Sequence, residues 1–123
     1  MPYTIHCWPP GLQKDEIEAL PMEAQAAIAV MFREIRRRGP RPEEYNVKPL
    51  SRHLRGLNQA NMKVNREQIR LLFSVYGTRI VIFHVFKKTS PQVEQRGYDK
   101  ALARKRSAEA VMAGAQNVIP TIH

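Results

Sequence analysis

The sequence predicts an α+β fold, in which a small, mainly antiparallel sheet packs on a long N-terminal helix and a second helix ends the domain. Residues 62–92 divide into short β-prone runs joined by tight-turn signals, which is the pattern of a three-stranded meander. On either side of it, residues 21–38 and 91–112 carry apolar side chains at helical spacing. These observations predict one helix before the meander and one after it.

The N-terminal part of the chain is expected to supply one strand and the long helix. Residues 3–8 form a β-prone run that ends at Pro-Pro-Gly, and residues 14–20 suggest one or two helical turns. Pro21 suits the first position of a helix that runs to about Arg38, where Gly39 and Pro40 give a strong stop. Residues 41–56 are polar, with one helical turn expected near 50–54.

Two dipeptides set the register of the meander. Gly77-Thr78 suits a two-residue hairpin turn, and Asn65-Arg66 is taken as the turn before it. Asn61 then pairs with Arg70 and shares its face. The predicted core face carries Ile69, Leu71, Phe73, Val75, Ile80, Ile82, His84 and Phe86, and the opposite face carries Gln68, Arg70, Leu72, Ser74, Val81, Phe83, Val85 and Lys87. A slip of one residue would invert every assignment beyond it.

The second helix is predicted to begin after Ser90, an N-cap residue followed by Pro91, and to end near Met112. One face is apolar and the other is basic. The apolar face has Tyr98, Ala101, Leu102, Ala108 and Val111, and the basic face has Arg96, Lys100, Arg104, Lys105 and Arg106. Residues 1–112 are therefore expected to form one domain, and residues 113–123, which lack periodicity, a disordered tail.

Positive charge is concentrated in the second half of the chain. The 123 residues carry a net charge of +9, and residues 48–106 hold 14 Lys and Arg against 3 acidic residues, a local net of +11. Such an imbalance indicates a polyanionic partner, RNA above all. Two simpler interpretations stay open. In the first, the basic surface serves only solubility. In the second, Arg36, Arg37 and Arg38 only complement the dipole of their own helix.

Several classes of protein are disfavoured by the sequence. No apolar run approaches the roughly 20 residues that span a bilayer, and the N-terminus does not resemble a signal peptide. Cys7 is the only cysteine, so we expect no internal disulfide and a reducing, cytoplasmic location. Without metal-ligand spacing, a glycine-rich phosphate loop or a Ser/His/Asp set, no metal and no cofactor is expected.

The predicted register brings cations together at one end of the non-core face. Lys63, Arg70 and Lys87 converge there, beside Asn61 and Gln68. Cations held so close repel one another, and a bound anion is the usual reason for such a cluster, although a solvated sheet face is the simpler alternative. The neighbouring surface of Leu72, Phe83 and Val85 is too apolar to be exposed, so either the last helix or a partner is expected to cover it.

These residues resemble the RelE/ParE toxin superfamily, and in detail its phage-related HigB-like branch. The resemblance rests on GP at 39–40, VKPLSRHLRGL at 47–57, KVNREQIRLLF at 63–73 and RIVIFHVFKKTSPQ at 79–92, followed by Lys100-Ala101 and Arg104. It spans about three quarters of the chain. The branch often has an aromatic residue followed by Glu-Leu-Arg after the Gly-Leu pair, where this chain has Asn58-Gln59-Ala60-Asn61.

The resemblance implies the toxin of a type II toxin–antitoxin pair. Such toxins cut mRNA on the ribosome without a metal, by attack of the ribose 2′-hydroxyl on the neighbouring phosphate. The implied partners are a helix-turn-helix antitoxin, the ribosome and mRNA. No membrane partner is expected. Arg70 matches the third-strand arginine, Lys63 the second-strand lysine, and Lys87 and Lys88 the basic pair that ends the fourth strand. The RNA backbone is expected to contact Arg66, Arg79, Lys88, Arg96, Lys100 and Arg104.

Proton transfer has several candidates. His84 is expected to be a buried, hydrogen-bonded histidine, and His53 either reaches the rim of the site or is simply solvated. Tyr98 either donates a proton or stacks on a base, although its helical spacing also suits a core residue. Two other functions remain open: a non-catalytic module that binds RNA, the ribosome or a protein, and a ParE-like inhibitor of DNA gyrase.

Overall fold

A computed structural model describes residues 2–114. A five-stranded mixed sheet forms its centre, with strand order β1-β5-β4-β3-β2. The strand β1 pairs in parallel with β5, and every other neighbouring pair is antiparallel. The strands are β1 (Thr4–Cys7), β2 (Lys48–Pro49), β3 (Asn58–Val64), β4 (Glu67–Tyr76) and β5 (Arg79–Lys88), and the α-helices are α1 (Met22–Arg38) and α2 (Pro91–Gly114). The α+β class is thus confirmed.

The helix α1 buries one face against the sheet. Pro21 precedes its first turn in an extended conformation, and Gly39 ends it with a φ of 98°, a value that glycine tolerates best. The side chains at helical spacing on its inner face are Ala24, Ile28, Met31, Phe32 and Ile35. They pack on Ile5, Ile69, Leu71, Phe73, Ile80, Ile82 and Val85 of the sheet, which defines the α1 side.

Both predicted hairpin turns are present. Asn65 and Arg66 have φ angles of 50° and 69°, the pattern of a two-residue turn whose twist matches the flanking strands. The register of β3 on β4 is the predicted one, with Asn61 opposite Arg70 and Lys63 opposite Gln68. At the other end, Tyr76 lies opposite Arg79, as predicted from the Gly77-Thr78 turn.

The register of β4 on β5 departs from prediction halfway along. Phe73 lies opposite Ile82 as expected, but Leu72 lies opposite His84, so Phe83 is an extra residue in β5. A β-bulge of this kind shifts every later residue to the other face of the sheet. Val85 therefore belongs to the α1 side, and Phe86 and His84 to the other, the reverse of the predicted assignment.

The helix α2 covers the second side of the sheet, here called the α2 side. The Ser90 hydroxyl accepts a hydrogen bond from the Val93 N–H at 3.1 Å, which confirms the predicted N-cap. Gly97 and Ala101 are buried against the strands, and Phe86 packs directly beneath Gly97. The apolar surface of Leu72, Val81 and Phe83 is therefore covered by the chain itself.

Three short segments complete the fold. A π-helical turn at Gln13–Ile17 occupies the region where one or two helical turns were expected. The 3-10 turns are Glu43–Tyr45 and Arg52–Leu54, and the second matches the turn predicted near 50–54. Sequence analysis missed β2, the two-residue edge strand beside β3. Most of the predicted tail, residues 115–123, lies outside the described residues, and residues 113–114 belong to α2.

Candidate functional site

An open cleft of about 380 Å³ lies on the α2 side of the sheet. The strands β3 and β4 form its floor, because residues 61, 63, 68 and 70 face the same way across one antiparallel pair. None of the described residues that line it is acidic. The lining residues are Asn46, Lys48, Gln59, Asn61, Met62, Lys63, Gln68 and Arg70.

Arg70 is the least exposed cation of the cleft, with a side chain that is 13% exposed. Its Nη1 forms an ion pair with the Glu94 carboxylate from the first turn of α2. Its Nε is buried and has no hydrogen-bond partner among the described residues. A buried donor without an acceptor destabilises the fold, and Nε of Arg70 is such a donor.

A chain of hydrogen bonds crosses the inner wall of the cleft. The Tyr98 hydroxyl donates to Oε1 of Gln59 at 2.7 Å, and Nε2 of Gln59 donates to Oδ1 of Asn61 at 3.1 Å. Burial and the nearby Glu94 carboxylate raise the pKa of Tyr98 above its ordinary value. Tyr98 therefore keeps its proton at neutral pH, which suits a hydrogen-bond donor or a proton donor and not a base.

The lysines of the cleft are arranged differently from prediction. Lys63 is exposed on the floor as expected, and Lys48 from β2 joins it, although sequence analysis did not name Lys48. The predicted place of Lys87 is wrong. Because of the bulge at Phe83, Lys87 lies opposite Ile69 on the α1 side, where it pairs with Glu67 at 2.7 Å. Lys88 instead shares a face with Gln68.

Arg66 extends the basic surface beyond the cleft. It lines a second hollow, of about 340 Å³, at the β3–β4 turn, together with Glu67, Gln68, Lys87, Lys88 and Thr89. Arg79 lies at the other end of the ten-residue strand β4, roughly 30 Å away along the sheet. The two turn arginines that are predicted to contact the rRNA backbone therefore lie at opposite ends of the hairpin.

Residues 15–106 match the family described as phage-derived protein Gp49-like (DUF891). The chain belongs to this family. Two solved structures share its fold. A chain of the toxin–antitoxin complex RelBE2 from Mycobacterium tuberculosis is 25% identical, with a TM-score of 0.56, over 72% of this chain and all of that one. A free mutant of the E. coli toxin RelE is 17% identical, with a TM-score of 0.55, over 81% of this chain and 98% of that one.

These similarities place the Gp49-like chain in the RelE-like toxin superfamily, as the sequence resemblance predicted. No curated protein sequence matched it. Within the described residues, no helix is both long and apolar enough to cross a membrane. The same part of the chain holds no group of three or more His, Cys, Asp or Glu residues arranged for a metal ion.

The cations of α2 in the Gp49-like domain divide into two groups. Arg96 and Lys100 are exposed, as predicted. Arg104, which is predicted on the basic face as an RNA contact, is instead engaged within the fold. Its Nη1 lies 2.5 Å from Oε2 of Glu16 and donates to the Phe83 carbonyl at 2.8 Å. Arg104 therefore ties α2 to the bulge of β5 and is not available to a ligand.

Glu16 is the centre of a polar cluster that also contains Arg104, His84 and the Val85 N–H. Its Oε1 lies 2.7 Å from Nδ1 of His84 and accepts the Val85 N–H at 2.9 Å. Burial raises the pKa of Glu16, but the hydrogen bonds from His84, Val85 and Arg104 outweigh it and hold the pKa below its ordinary value. His84 is buried and hydrogen-bonded as expected, although on the α2 side. This cluster lies apart from the residues that line the cleft.

His53 is not brought to the cleft. It is exposed in the 3-10 turn between β2 and β3, beyond the end of β3 that is opposite to Lys63. The site residues that sequence analysis missed are Lys48, Glu94 and Gln59. For Glu94 the chain gave no local signal, since its partner lies 24 positions away. The departure of residues 58–61 from the family pattern was a signal for Gln59.

Proposed function

We propose that this chain is the toxin of a type II toxin–antitoxin pair, of the HigB-like branch, and that it cuts mRNA on the ribosome. The observation that carries the proposal is the partly buried Arg70 in an open cleft whose lining is cationic. Lys48 and Lys63 flank it, and neither is in a salt bridge within residues 2–114. Low exposure strengthens the attraction between a guanidinium and a phosphate.

The chemistry assigned to this cleft is attack of a ribose 2′-hydroxyl on the adjacent phosphate. The transition state carries an additional negative charge on the phosphate oxygens, and fixed cations beside them stabilise it. Arg70 is assigned to these oxygens, with Lys63 beside it. Tyr98, which keeps its proton at neutral pH, is suited to protonate the departing 5′-oxygen. Arg66, Lys88, Arg96 and Lys100 are assigned to the RNA backbone.

The partners proposed for this chain follow from its relatives. The RelBE2 structure is that of a toxin–antitoxin complex, which supports an antitoxin partner here, and we assign it to the helix-turn-helix class. The ribosome and its mRNA are the proposed substrates, and the bacterial cytoplasm is the proposed location. The strong positive charge of residues 48–106 suits binding to ribosomal RNA.

The decisive experiment is mRNA cleavage in a reconstituted translation reaction, with and without ribosomes. Wild-type protein is expected to cut only in the presence of ribosomes. Arg70→Ala is expected to reduce the cleavage rate by about 100-fold or more, since loss of one charge-stabilising donor has an effect of that order. Arg37→Ala is the matched control, because Arg37 lies on α1 and its side chain is 69% exposed.

Thermal melts of the two variants separate activity from folding. Equal melting temperatures with selective loss of cleavage in Arg70→Ala would support the proposed site. Equal cleavage by both variants would refute the assignment of Arg70. Intact mRNA with folded wild-type protein would refute the nuclease itself.

A second candidate is a non-catalytic module that binds RNA or the ribosome through the same cleft. The absence of histidine and carboxylate side chains among the described cleft-lining residues favours it. Under this hypothesis the protein binds ribosomes and leaves mRNA intact. The ParE-like alternative, inhibition of DNA gyrase, predicts instead the loss of DNA supercoiling activity in a purified gyrase assay.

A further inference from the structure

The floor of the cleft contains two amide side chains, Gln59 and Asn61, and the burial of Gln59, which is only 1% exposed, destabilises the fold unless its hydrogen bonds are made. Here they are made by Tyr98 on one side and by Asn61 on the other. An apolar residue at position 59 would avoid this requirement. The pair therefore points to a task at the cleft beyond packing.

The direction of the amides is fixed by a main-chain carbonyl. Nδ2 of Asn61 donates to the carbonyl oxygen of Asn46 at 3.4 Å, and a carbonyl can only accept. Oδ1 of Asn61 must then receive the N–H of Gln59, which leaves Oε1 of Gln59 for the Tyr98 hydroxyl. Both amide oxygens are thus used inside the wall, and Asn61 keeps one N–H with no partner among the described residues.

The wall formed by Gln59 and Asn61 consequently presents a hydrogen-bond donor to the cleft. Asn61 lines the cleft together with the cations Lys48, Lys63 and Arg70, and none of the described lining residues is acidic. The other polar lining residues besides Gln59 are the amides Asn46 and Gln68. Among the purines, guanine matches such a wall, because O6 and N7 are two adjacent acceptors on one edge. Adenine offers N7 beside an amino group, which would oppose a donor with a donor.

We infer that this cleft holds a guanine base through its O6/N7 edge, with the nucleotide's phosphate on Arg70, and that Asn61 reads the base. Gln59 is a positioning residue that acts through Asn61. The volume of about 380 Å³ is in the range of small-ligand sites. The inference deepens the proposed function, since it names the nucleotide that the site would take, but it concerns binding and is testable without cleavage.

The test is a calorimetric titration of the full chain with 5′-GMP, 5′-IMP and 5′-AMP. Inosine keeps O6 and N7 but lacks the 2-amino group of guanine. GMP and IMP are expected to bind at similar strength, each about tenfold or more tighter than AMP, which is the discrimination typical of a good base-edge contact. Equal affinity for GMP and AMP would overturn the inference. A preference for GMP over both IMP and AMP would also overturn it, because the 2-amino group would then be the group recognised.

Asn61→Asp tests whether Asn61 recognises the base, since it replaces the N–H donor by an acceptor of the same shape. The ratio of GMP to AMP affinity is expected to fall to about one or below, whereas repulsion of the phosphate weakens both nucleotides equally. Asn58→Asp adds the same charge three positions earlier, opposite Phe73 on the α1 side, and is expected to keep the wild-type ratio. An unchanged ratio in Asn61→Asp would overturn the assignment. Loss of mRNA cleavage with the GMP preference intact would instead refute only the nuclease.

Discussion

The guanidinium of Arg70 and the carboxylate of Glu94 form an ion pair that joins the middle of the sheet to the first turn of α2. Both side chains are largely shielded, at 13% and 22% exposed. A phosphate that binds Arg70 must compete with this carboxylate. The pair therefore sets how strongly the cleft attracts an anion.

Glu94→Gln is expected to bind a short single-stranded RNA about three- to tenfold more tightly than wild type, because one competing charge is removed. Fluorescence anisotropy at fixed salt measures the change. Glu109→Gln is the control, since Glu109 pairs with Lys105 near the other end of α2 and its loss changes the net charge equally. An equal gain in both variants would mean that net charge alone is responsible.

The Glu16 cluster makes the free energy of unfolding depend on pH. The pKa of Glu16 is lowered in the folded protein from its ordinary value of 4.5, so its contribution is present above pH 4.5 and is lost as the pH falls through the folded pKa. Glu16→Gln is expected to lower the free energy of unfolding at pH 7 by about 2 kcal/mol, the order expected when shielded hydrogen-bond donors lose their acceptor.

Urea unfolding at several pH values measures this dependence. The difference between wild type and Glu16→Gln should shrink as the pH falls below 4.5. A difference that stays constant from pH 7 to pH 3 would show that the variant acts through packing alone.

Gly97 lies against the ring of Phe86, and a Cβ built at position 97 would come within 2.8 Å of that ring. Gly97→Ala is therefore expected to destabilise the domain by about 1–2 kcal/mol, because overpacking outweighs the better helix propensity of alanine. The melting temperature should fall by roughly 5–10 °C. Gly114→Ala, where no described atom lies within 4 Å of the added Cβ, should not lower it. A rise in Gly97→Ala would mean that α2 moves away from the sheet easily.

Cys7 is buried in β1, and burial, with a smaller effect of Glu16, raises its pKa to about 12. The thiolate is the reactive form, so the folded protein should resist alkylation at pH 8. Iodoacetamide labelling followed by mass spectrometry is expected to modify Cys7 only when urea unfolds the chain. Rapid labelling without urea would show that β1 detaches from β5 in the folded protein.

How much of this structure the sequence could predict depends on the element. The β3–β4 register follows from a local signal, a turn at Asn65-Arg66 between alternating runs, and it is confirmed residue by residue. The β5 register does not follow from a local signal. Residues 80–86 are mainly apolar on both faces, so periodicity cannot detect one extra residue there. The strand β2 is too short to leave a pattern.

The candidate site shows the same division. Lys63 and Arg70 were placed on one face from the turn alone, and the structure places them there. The partner of Arg70 lies on α2, and no spacing rule connects a strand to the helix that happens to pack beside it. Long-range pairs such as Arg70 with Glu94, or Tyr98 with Gln59, emerge only from the three-dimensional packing.

The bulge at Phe83 also matters for comparing this chain with its relatives. One extra residue changes which of two consecutive lysines lies on the α2 side of the sheet, so counting positions along β5 from the Gly77-Thr78 turn selects Lys87 where the observed register selects Lys88. Any relative that lacks the bulge would present the lysine one position earlier. Functional residues in this family are therefore equivalent by the face they occupy, and a gapless alignment of β5 would pair side chains that point in opposite directions.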